Sequence, residues 1–152
     1  GIETAQYTGW AMMVSAASSL FMQIAIAQRF DGPAIQLVRW GGGLLLGGTA
    51  IISALDSWAA VLTSMVLIGA GLGLLMPAVT AGASLAVGAE EQGSVSGLVS
   101  ACPAAGFVLG PISGGFLYQH YQPAAGWGAV LILLIVFAAT LRPRKNPVLS
   151  RT

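Results

Sequence analysis

Charge is what this sequence lacks most. Of its 152 residues only 7% are Asp, Glu, Lys or Arg, whereas 56% are hydrophobic, and the mean hydropathy is +0.83. No charged residue lies between Gln92 and Leu141, and a second uncharged run extends from Ser57 to Ala89. A soluble domain of this length does not bury so much apolar surface. The sequence therefore predicts an integral membrane protein.

Two further scarcities exclude other classes of protein. Cys102 is the only cysteine, so no disulfide forms within the chain. The six basic residues do not form a patch interleaved with aromatic side chains, so no nucleic-acid partner is expected. No catalytic residue, metal ligand or cofactor-binding residue is assigned, and the chain is not expected to be an enzyme.

The apolar pattern divides the chain into five transmembrane helices, A to E. About twenty residues in a helix cross the ~30 Å hydrocarbon core of a bilayer. Helices are favoured over barrel strands because the runs are long, rich in Ala, Leu and Gly, and show no alternating polarity. The expected fold is an all-α membrane protein, with 1–152 as one transmembrane bundle fragment that ends in a tail, 142–152. The five expected helices are 7–28, 35–55, 57–87, 94–118 and 124–141.

Basic residues predict the orientation of these helices. Arg29 and Arg39 flank the A–B connection, whereas the B–C and D–E connections contain no Lys or Arg. Four more basic residues follow helix E: Arg142, Arg144, Lys145 and Arg151. Because basic loops are retained in the cytoplasm, we expect the A–B connection and the tail on the cytoplasmic side. Five crossings then place Gly1 outside.

Helix C is the candidate wall of a substrate cavity. Three glycines precede Met76 and Pro77, which predicts a weakened and kinked helix. The alternative for its hydroxyls is a hydrogen bond back to the preceding helical turn. The candidate cavity residues are Ser64, Met76, Thr80 and Ser84.

Helix D carries small residues at four-residue spacing, interrupted by prolines. Such spacing permits close approach of two helix backbones, but it does not distinguish a static packed helix from a moving one. The candidate packing and gating residues are Gly93, Gly97, Gly106, Gly110, Pro111, Gly114 and Gly115. Helix E is bulky all round between Val130 and Phe137 and is expected to face lipid.

None of the five helices has a carboxylate, Lys or Arg deep in its span. Proton relays and coupling-ion sites in membranes usually need such a group. A coupling site is therefore not expected within this chain.

Two segments carry a family resemblance. Residues 90–97, which begin Glu-Glu-Gln-Gly, and residues 106–115, which read Gly-Phe-Val-Leu-Gly-Pro-Ile-Ser-Gly-Gly, resemble the major facilitator superfamily and, more narrowly, its drug:proton antiporters, including the tetracycline exporters. The first is similar to the loop before their eleventh helix, and the second to that helix. On this resemblance A to E are the eighth to twelfth helices. The second to sixth helices are disfavoured because helix C lacks the Arg that begins the fourth helix of such antiporters.

The A–B connection also resembles a family motif. Residues 28–33 are similar to a decayed copy of the basic loop motif, which keeps Arg29 and Gly32 and has Gln28 in place of the leading carboxylate. The resemblance implies a cytoplasmic loop site formed by Arg29, Asp31, Gly32 and Gln92.

The resemblance implies a twelve-helix secondary transporter in the cell inner membrane, with two bundles that open a central cavity alternately to each side. It implies export of small drug-like molecules by proton antiport. The partners are then the lipid bilayer, the missing N-terminal bundle, a small-molecule substrate and the proton. Helix C would line the cavity, helices A and D would meet the N-terminal bundle, and helices B and E would face lipid.

Two other functions remain open from the residues. A non-catalytic membrane anchor or assembly protein needs only packed helices. An intramembrane serine protease needs an activated Ser beside a His, and Ser96, Ser113 and His120 are the available residues. Neither serine stands in a Gly-x-Ser-Gly motif, which makes the protease the weaker alternative.

Overall fold

All regular structure in the described part of the chain is helical, as predicted. The computed structural model describes the backbone of residues 2–141 and the side chains of residues 5–121 and 126–141. A short 3₁₀ turn, Ala27–Arg29, separates the first two helices. The four α-helices are α1 Ile2–Ala25, α2 Ala34–Ala54, α3 Trp58–Leu85 and α4 Gln92–Leu141. Each contains a stretch long and apolar enough to cross a membrane.

Local sequence explains where α2 and α3 begin. Pro33 has an extended backbone, and its carbonyl accepts a hydrogen bond from the Gln36 amide (2.9 Å) in the first turn of α2. Ser57 caps α3, since its hydroxyl accepts a hydrogen bond from the Ala60 amide (3.2 Å). Such a cap stabilises a helix by ~1 kcal/mol. Both connections are short, which makes consecutive helices antiparallel neighbours.

Helix α3 lies at the centre of the bundle, with α2 against one of its faces. The contact is close because glycines meet glycines. A Cβ atom added to Gly41 of α2 would lie 2.7 Å from the carbonyl oxygen of Gly71, and one added to Gly71 would lie 2.7 Å from that of Gly41. Two turns along α2, a Cβ on Gly48 would lie 2.9 Å from the Ser64 carbonyl oxygen. These positions admit no side chain.

Helix α1 packs on another face of α3 in the same way. Added Cβ atoms on Gly69 and Gly73 would collide with the carbonyl oxygens of Ser15 and Ser19. Between these points the Ser18 hydroxyl donates a hydrogen bond to the Val66 carbonyl (2.8 Å). The glycines of helix C, which the sequence analysis interprets as weakening that helix, are therefore its closest packing points. Small residues do this in membranes because they let helix backbones approach.

Helix α4 is too long to be straight within this bundle. Its 50 residues would extend ~75 Å at 1.5 Å per residue, whereas the 28 residues of α3 extend ~42 Å. Yet the Gln92 side-chain amide donates to the Ser84 carbonyl (3.5 Å), and Arg39 donates to the Thr140 carbonyl (3.4 Å). A straight α4 would separate Gln92 and Thr140 by roughly 70 Å. The helix therefore reverses direction between two limbs.

The first limb is Gln92–Tyr121 and the second is Gly126–Leu141. The second limb runs antiparallel to α2, because an added Cβ on Gly126 would lie 2.8 Å from the Ser53 hydroxyl oxygen. The predicted reversal between helices D and E is present, but residues 119–123, predicted as a connection, are helical. Gln119, His120 and Tyr121 are all compatible with a helix, and no glycine interrupts the segment.

The two limbs differ in how they pack. No residue of the first limb is buried among the residues that the structure describes. The second limb packs on α2, where an added Cβ on Gly42 would lie 2.8 Å from the Phe137 ring. Its other side exposes Leu131, Ile132 and Ile135. Helix E therefore contacts α2 on one face and leaves the opposite face apolar and uncovered.

The glycine contacts predict a difference between two glycines of α2. Gly41→Leu places a side chain against the Gly71 backbone, and we expect a loss of stability of ~1–3 kcal/mol or more from overpacking. Gly47→Leu is the matched control, because nothing lies within 4 Å of an added Cβ there. Thermal unfolding of the purified protein in detergent measures both. Equal melting temperatures for the two variants would contradict the packing described here.

Candidate functional site

A groove lies between α3 and the first limb of α4, beside the predicted cavity residue Met76. Its volume is about 320 Å³ and its walls are almost entirely apolar. Both helices contribute residues three and four apart, which share one helix face. The lining residues are Leu75, Met76, Val79, Val99, Cys102 and Pro103. The groove therefore suits an apolar group and offers it no ionised partner.

Met76 is the predicted cavity residue that lies on the wall of this groove. Its side chain is 44% exposed, and its thioether is flexible and polarisable, which lets it adapt to ligands of different shape. Pro77 follows it and removes the backbone donor that would bond to Gly73. The Gly73 backbone instead lies against Ser19 of α1.

The three predicted hydroxyl residues are placed differently. Ser64 is fully buried against α2, and its hydroxyl donates to the Val61 carbonyl (2.8 Å). Thr80 lies one turn beyond Met76 and is exposed, but its hydroxyl donates to the Met76 carbonyl (3.0 Å). Ser84 is half-buried near the end of α3, where its carbonyl accepts from Gln92. For Ser64 and Thr80 the alternative of a hydrogen bond to the preceding turn is what the structure shows.

A second apolar cavity, of about 260 Å³, lies between α2, α3 and the second limb of α4. Leu75 and Val79, which are one turn apart on α3, line both cavities. This turn of α3 is therefore the wall between the two cavities. No residue pattern in the sequence predicted the second cavity. Finding it requires knowledge of which face of α2 meets the second limb, and hydropathy alone does not supply that.

The residues of the predicted cytoplasmic loop site lie where α1 and α3 end. Helices α1 and α3 run in the same direction, since Tyr7 and Trp58 near their starts are in edge-to-face contact (4.8 Å between ring centroids). Gly32 has no room for a side chain, because an added Cβ would collide with the Phe30 ring. Arg29 and Asp31 are exposed beside it. Gln92 joins the ends of α3 and α4 through its hydrogen bond to Ser84.

The glycines predicted to mediate packing and gating on helix D face open space in the described structure. Added Cβ atoms would meet nothing within 4 Å at any of Gly93, Gly97, Gly106, Gly110, Gly114 and Gly115. Large side chains of the same limb are also uncovered, with Phe107 83% exposed. The first limb thus presents a glycine-rich surface that no described residue covers.

Possible metal ligands and the protease candidates Ser113 and His120 are separate questions among the residues that the structure describes. No three His, Cys, Asp or Glu side chains form a group that would hold a metal ion. The Ser113 hydroxyl donates to the Leu109 carbonyl (2.6 Å), and His120 Nδ1 contacts the Phe116 carbonyl oxygen (3.0 Å). Each side chain is thus engaged with its own helix.

Comparison with known proteins gives one family. The model of the Major Facilitator Superfamily matches residues 3–152. No curated protein matches the chain at a significant level. Two solved structures of a mutant peptide transporter, POT, in complex with alafosfalin or with sulfate, superpose with a TM-score of 0.70 at 23% identity. They cover 88% of this chain, which spans only 30% and 29% of theirs, so the likeness shows the fold.

The groove predicts the reactivity of Cys102. Its side chain is exposed and lies on the groove wall, and the thiolate that attacks a methanethiosulfonate reagent forms where water reaches the thiol. If the groove opens to a water-filled cavity, a polar methanethiosulfonate reagent labels Cys102 in membranes. We expect Met76→Trp, which fills the groove, to slow this labelling several-fold.

Val66→Trp is the matched control for that experiment. Val66 is also exposed on α3 but does not line the groove, so its replacement leaves the labelling rate unchanged. Mass spectrometry of the labelled peptide follows both rates. Cys102 that is inert to the reagent in every variant would mean that the groove faces lipid.

Proposed function

Since the chain belongs to the major facilitator superfamily, we propose that it is the C-terminal part of a secondary transporter, with its segments as the eighth to twelfth helices. It is an integral, multi-pass membrane protein with part of the family's fold. It spans about 30% of the length of the structures it matches. In this proposal the remaining length supplies an N-terminal bundle.

The unequal packing of the chain is the observation that carries this proposal. Helices α1, α2 and α3 meet at contacts that leave no room for a Cβ, whereas the glycines of the first limb meet nothing. Helix α1 also exposes Trp10, Met13 and Phe21 on the side away from its glycine contacts. We assign both surfaces to contact with the N-terminal bundle. Small residues at such a contact let two bundles rock closely against each other.

The groove beside Met76 supports a drug-like substrate. A peptide carries a charged amino group and a charged carboxylate, and a site that binds it buries those charges only against partners of opposite sign. The described groove walls are apolar and offer no such partner. The groove therefore favours small apolar molecules, with Met76 as the residue that contacts them. Thr80 and Ser84 lie farther along α3, toward its C-terminal end.

Export by proton antiport completes the proposal. Neither α3 nor α4 contains an ionisable carboxylate or base within its span apart from His120. A proton carrier in the membrane is usually a buried acid, which we therefore place in the N-terminal bundle. The loop end, with Arg29, Asp31, Gly32 and Gln92, is then cytoplasmic in a cell inner membrane, where retained basic residues belong.

The alternatives receive less support from the structure. Ser113 and His120 lie seven residues apart on one helix, a separation of ~10 Å along its axis, so they do not form the hydrogen-bonded pair that a serine nucleophile requires. A non-catalytic membrane anchor would not need an apolar groove beside an uncovered glycine surface. Transport measurements separate the anchor from the transporter.

The uncovered glycines predict a transport defect without an insertion defect. Gly110→Leu and Gly114→Leu add bulk to the proposed bundle contact, and we expect each to lower transport about tenfold, the effect of one or two kcal/mol of overpacking. Drug efflux from cells and the amount of protein in the membrane measure the two quantities separately.

Gly128→Leu is the control variant, since it lies on the second limb and an added Cβ meets nothing within 4 Å. In the proposal this position faces lipid, so the variant keeps its transport. Normal transport by both first-limb variants would contradict the proposed contact.

A further inference from the structure

Arg39 is a charged residue placed within a membrane-spanning helix. It is the sixth residue of α2, ~8 Å from the start of that helix. Its side chain reaches the end of α4, where one terminal nitrogen donates to the Thr140 carbonyl (3.4 Å). Thr140 is in turn held by its own hydroxyl, which donates to the Phe137 carbonyl (2.6 Å).

This contact leaves the guanidinium incompletely paired. The Nε atom of Arg39 is buried and has no hydrogen-bond partner in the described structure. A buried donor without a partner is costly, more so when it carries charge. The Thr140 carbonyl lies at the negative end of the α4 dipole and offsets only a fraction of one positive charge. The charge of the guanidinium is therefore only partly compensated, which favours an anion at its accessible side.

The apolar cavity of about 260 Å³ lies next to the contact between Arg39 and Thr140, and Thr140 is the member of that pair that lines it. Val38 and Gly42 line it from the turns of α2 around Arg39, and Thr140, whose carbonyl binds Arg39, lines it from α4. Phe137 packs over Gly42 at the same place. A cationic group and an apolar cavity therefore adjoin each other near the membrane surface.

We propose that this site binds an anionic phospholipid. The phosphate accepts hydrogen bonds from the terminal nitrogens of the half-buried Arg39 side chain, a forked arrangement that guanidinium groups favour. One acyl chain occupies the cavity. Basic pockets between transmembrane helices are a recurring form of lipid recognition.

Two further observations favour a lipid over another anion. The second limb exposes Leu131, Ile132 and Ile135, so the surface around the site is apolar and suits acyl chains. Three basic residues also follow Thr140 within five positions in the sequence, Arg142, Arg144 and Lys145. Positive charge near a membrane surface attracts anionic lipids by ~1 kcal/mol per residue.

The test measures lipid binding to the purified full-length protein by native mass spectrometry and by thermal unfolding in detergent. We expect phosphatidylglycerol to raise the melting temperature more than phosphatidylcholine does. Arg39→Gln should weaken phosphatidylglycerol binding about tenfold or more, as expected for the loss of a charge-assisted hydrogen bond. Arg39→Lys keeps the charge but lacks the fork of donors, so it should restore the effect only in part.

Arg29→Gln is the matched control, because it removes one positive charge from an exposed position in the turn before α2 and leaves the proposed site intact. It should retain phosphatidylglycerol binding. Inorganic phosphate is tested alone to separate a free anion from a lipid headgroup. Equal binding of phosphatidylglycerol by Arg39→Gln and the unchanged protein, or equal stabilisation by phosphate alone, would overturn the proposal. Transport is not measured, so the outcome is independent of the proposed function.

Discussion

Contact between helix backbones at glycine holds this bundle together. Apolar side chains gain little by leaving lipid for the interior of a membrane protein, so helices associate through close packing and polar contacts. Here Gly41 meets Gly71, while Gly69 and Gly73 meet the serines of α1. Because these contacts fix α1 and α2 on α3, they also decide which surfaces are left uncovered. The proposed lipid site and the proposed contact with an N-terminal bundle both depend on those surfaces.

Much of the fold follows from the sequence because long apolar runs indicate which segments are helices surrounded by lipid. The structure has α2 at Ala34–Ala54 where the sequence predicts 35–55, and α3 at Trp58–Leu85 where it predicts 57–87. The family was also accessible, because the loop and glycine pattern of residues 90–115 carry it. Met76 lies on the wall of an apolar groove, and its contact with a substrate stays a prediction.

The rest depends on partners that the sequence does not specify. Four-residue spacing of small residues looks the same whether the stripe is covered or open. The sequence therefore predicts packing at the glycines of the first limb and a weakened helix at those of α3, whereas in the structure the α3 glycines are in close contact and the first-limb glycines are open. Gly41 and Gly48 of α2 carried no motif and were missed, although neither has room for a side chain against α3. Ser64 resembled a cavity residue by composition, but its position on the face toward α2 buries it. Only the pairing of helix faces separates these cases.

Cross-linking from position 110 is the most direct test of the claim that the glycines of the first limb are not covered by α1, α2 or α3. A cysteine is introduced at Gly110 in the full-length protein with Cys102→Ala, a short bifunctional reagent is applied in membranes, and the linked peptides are identified. We expect adducts to residues outside this chain, in the proposed N-terminal bundle. Adducts confined to α1, α2 or α3 would show that the first limb packs on its own bundle and would contradict the account.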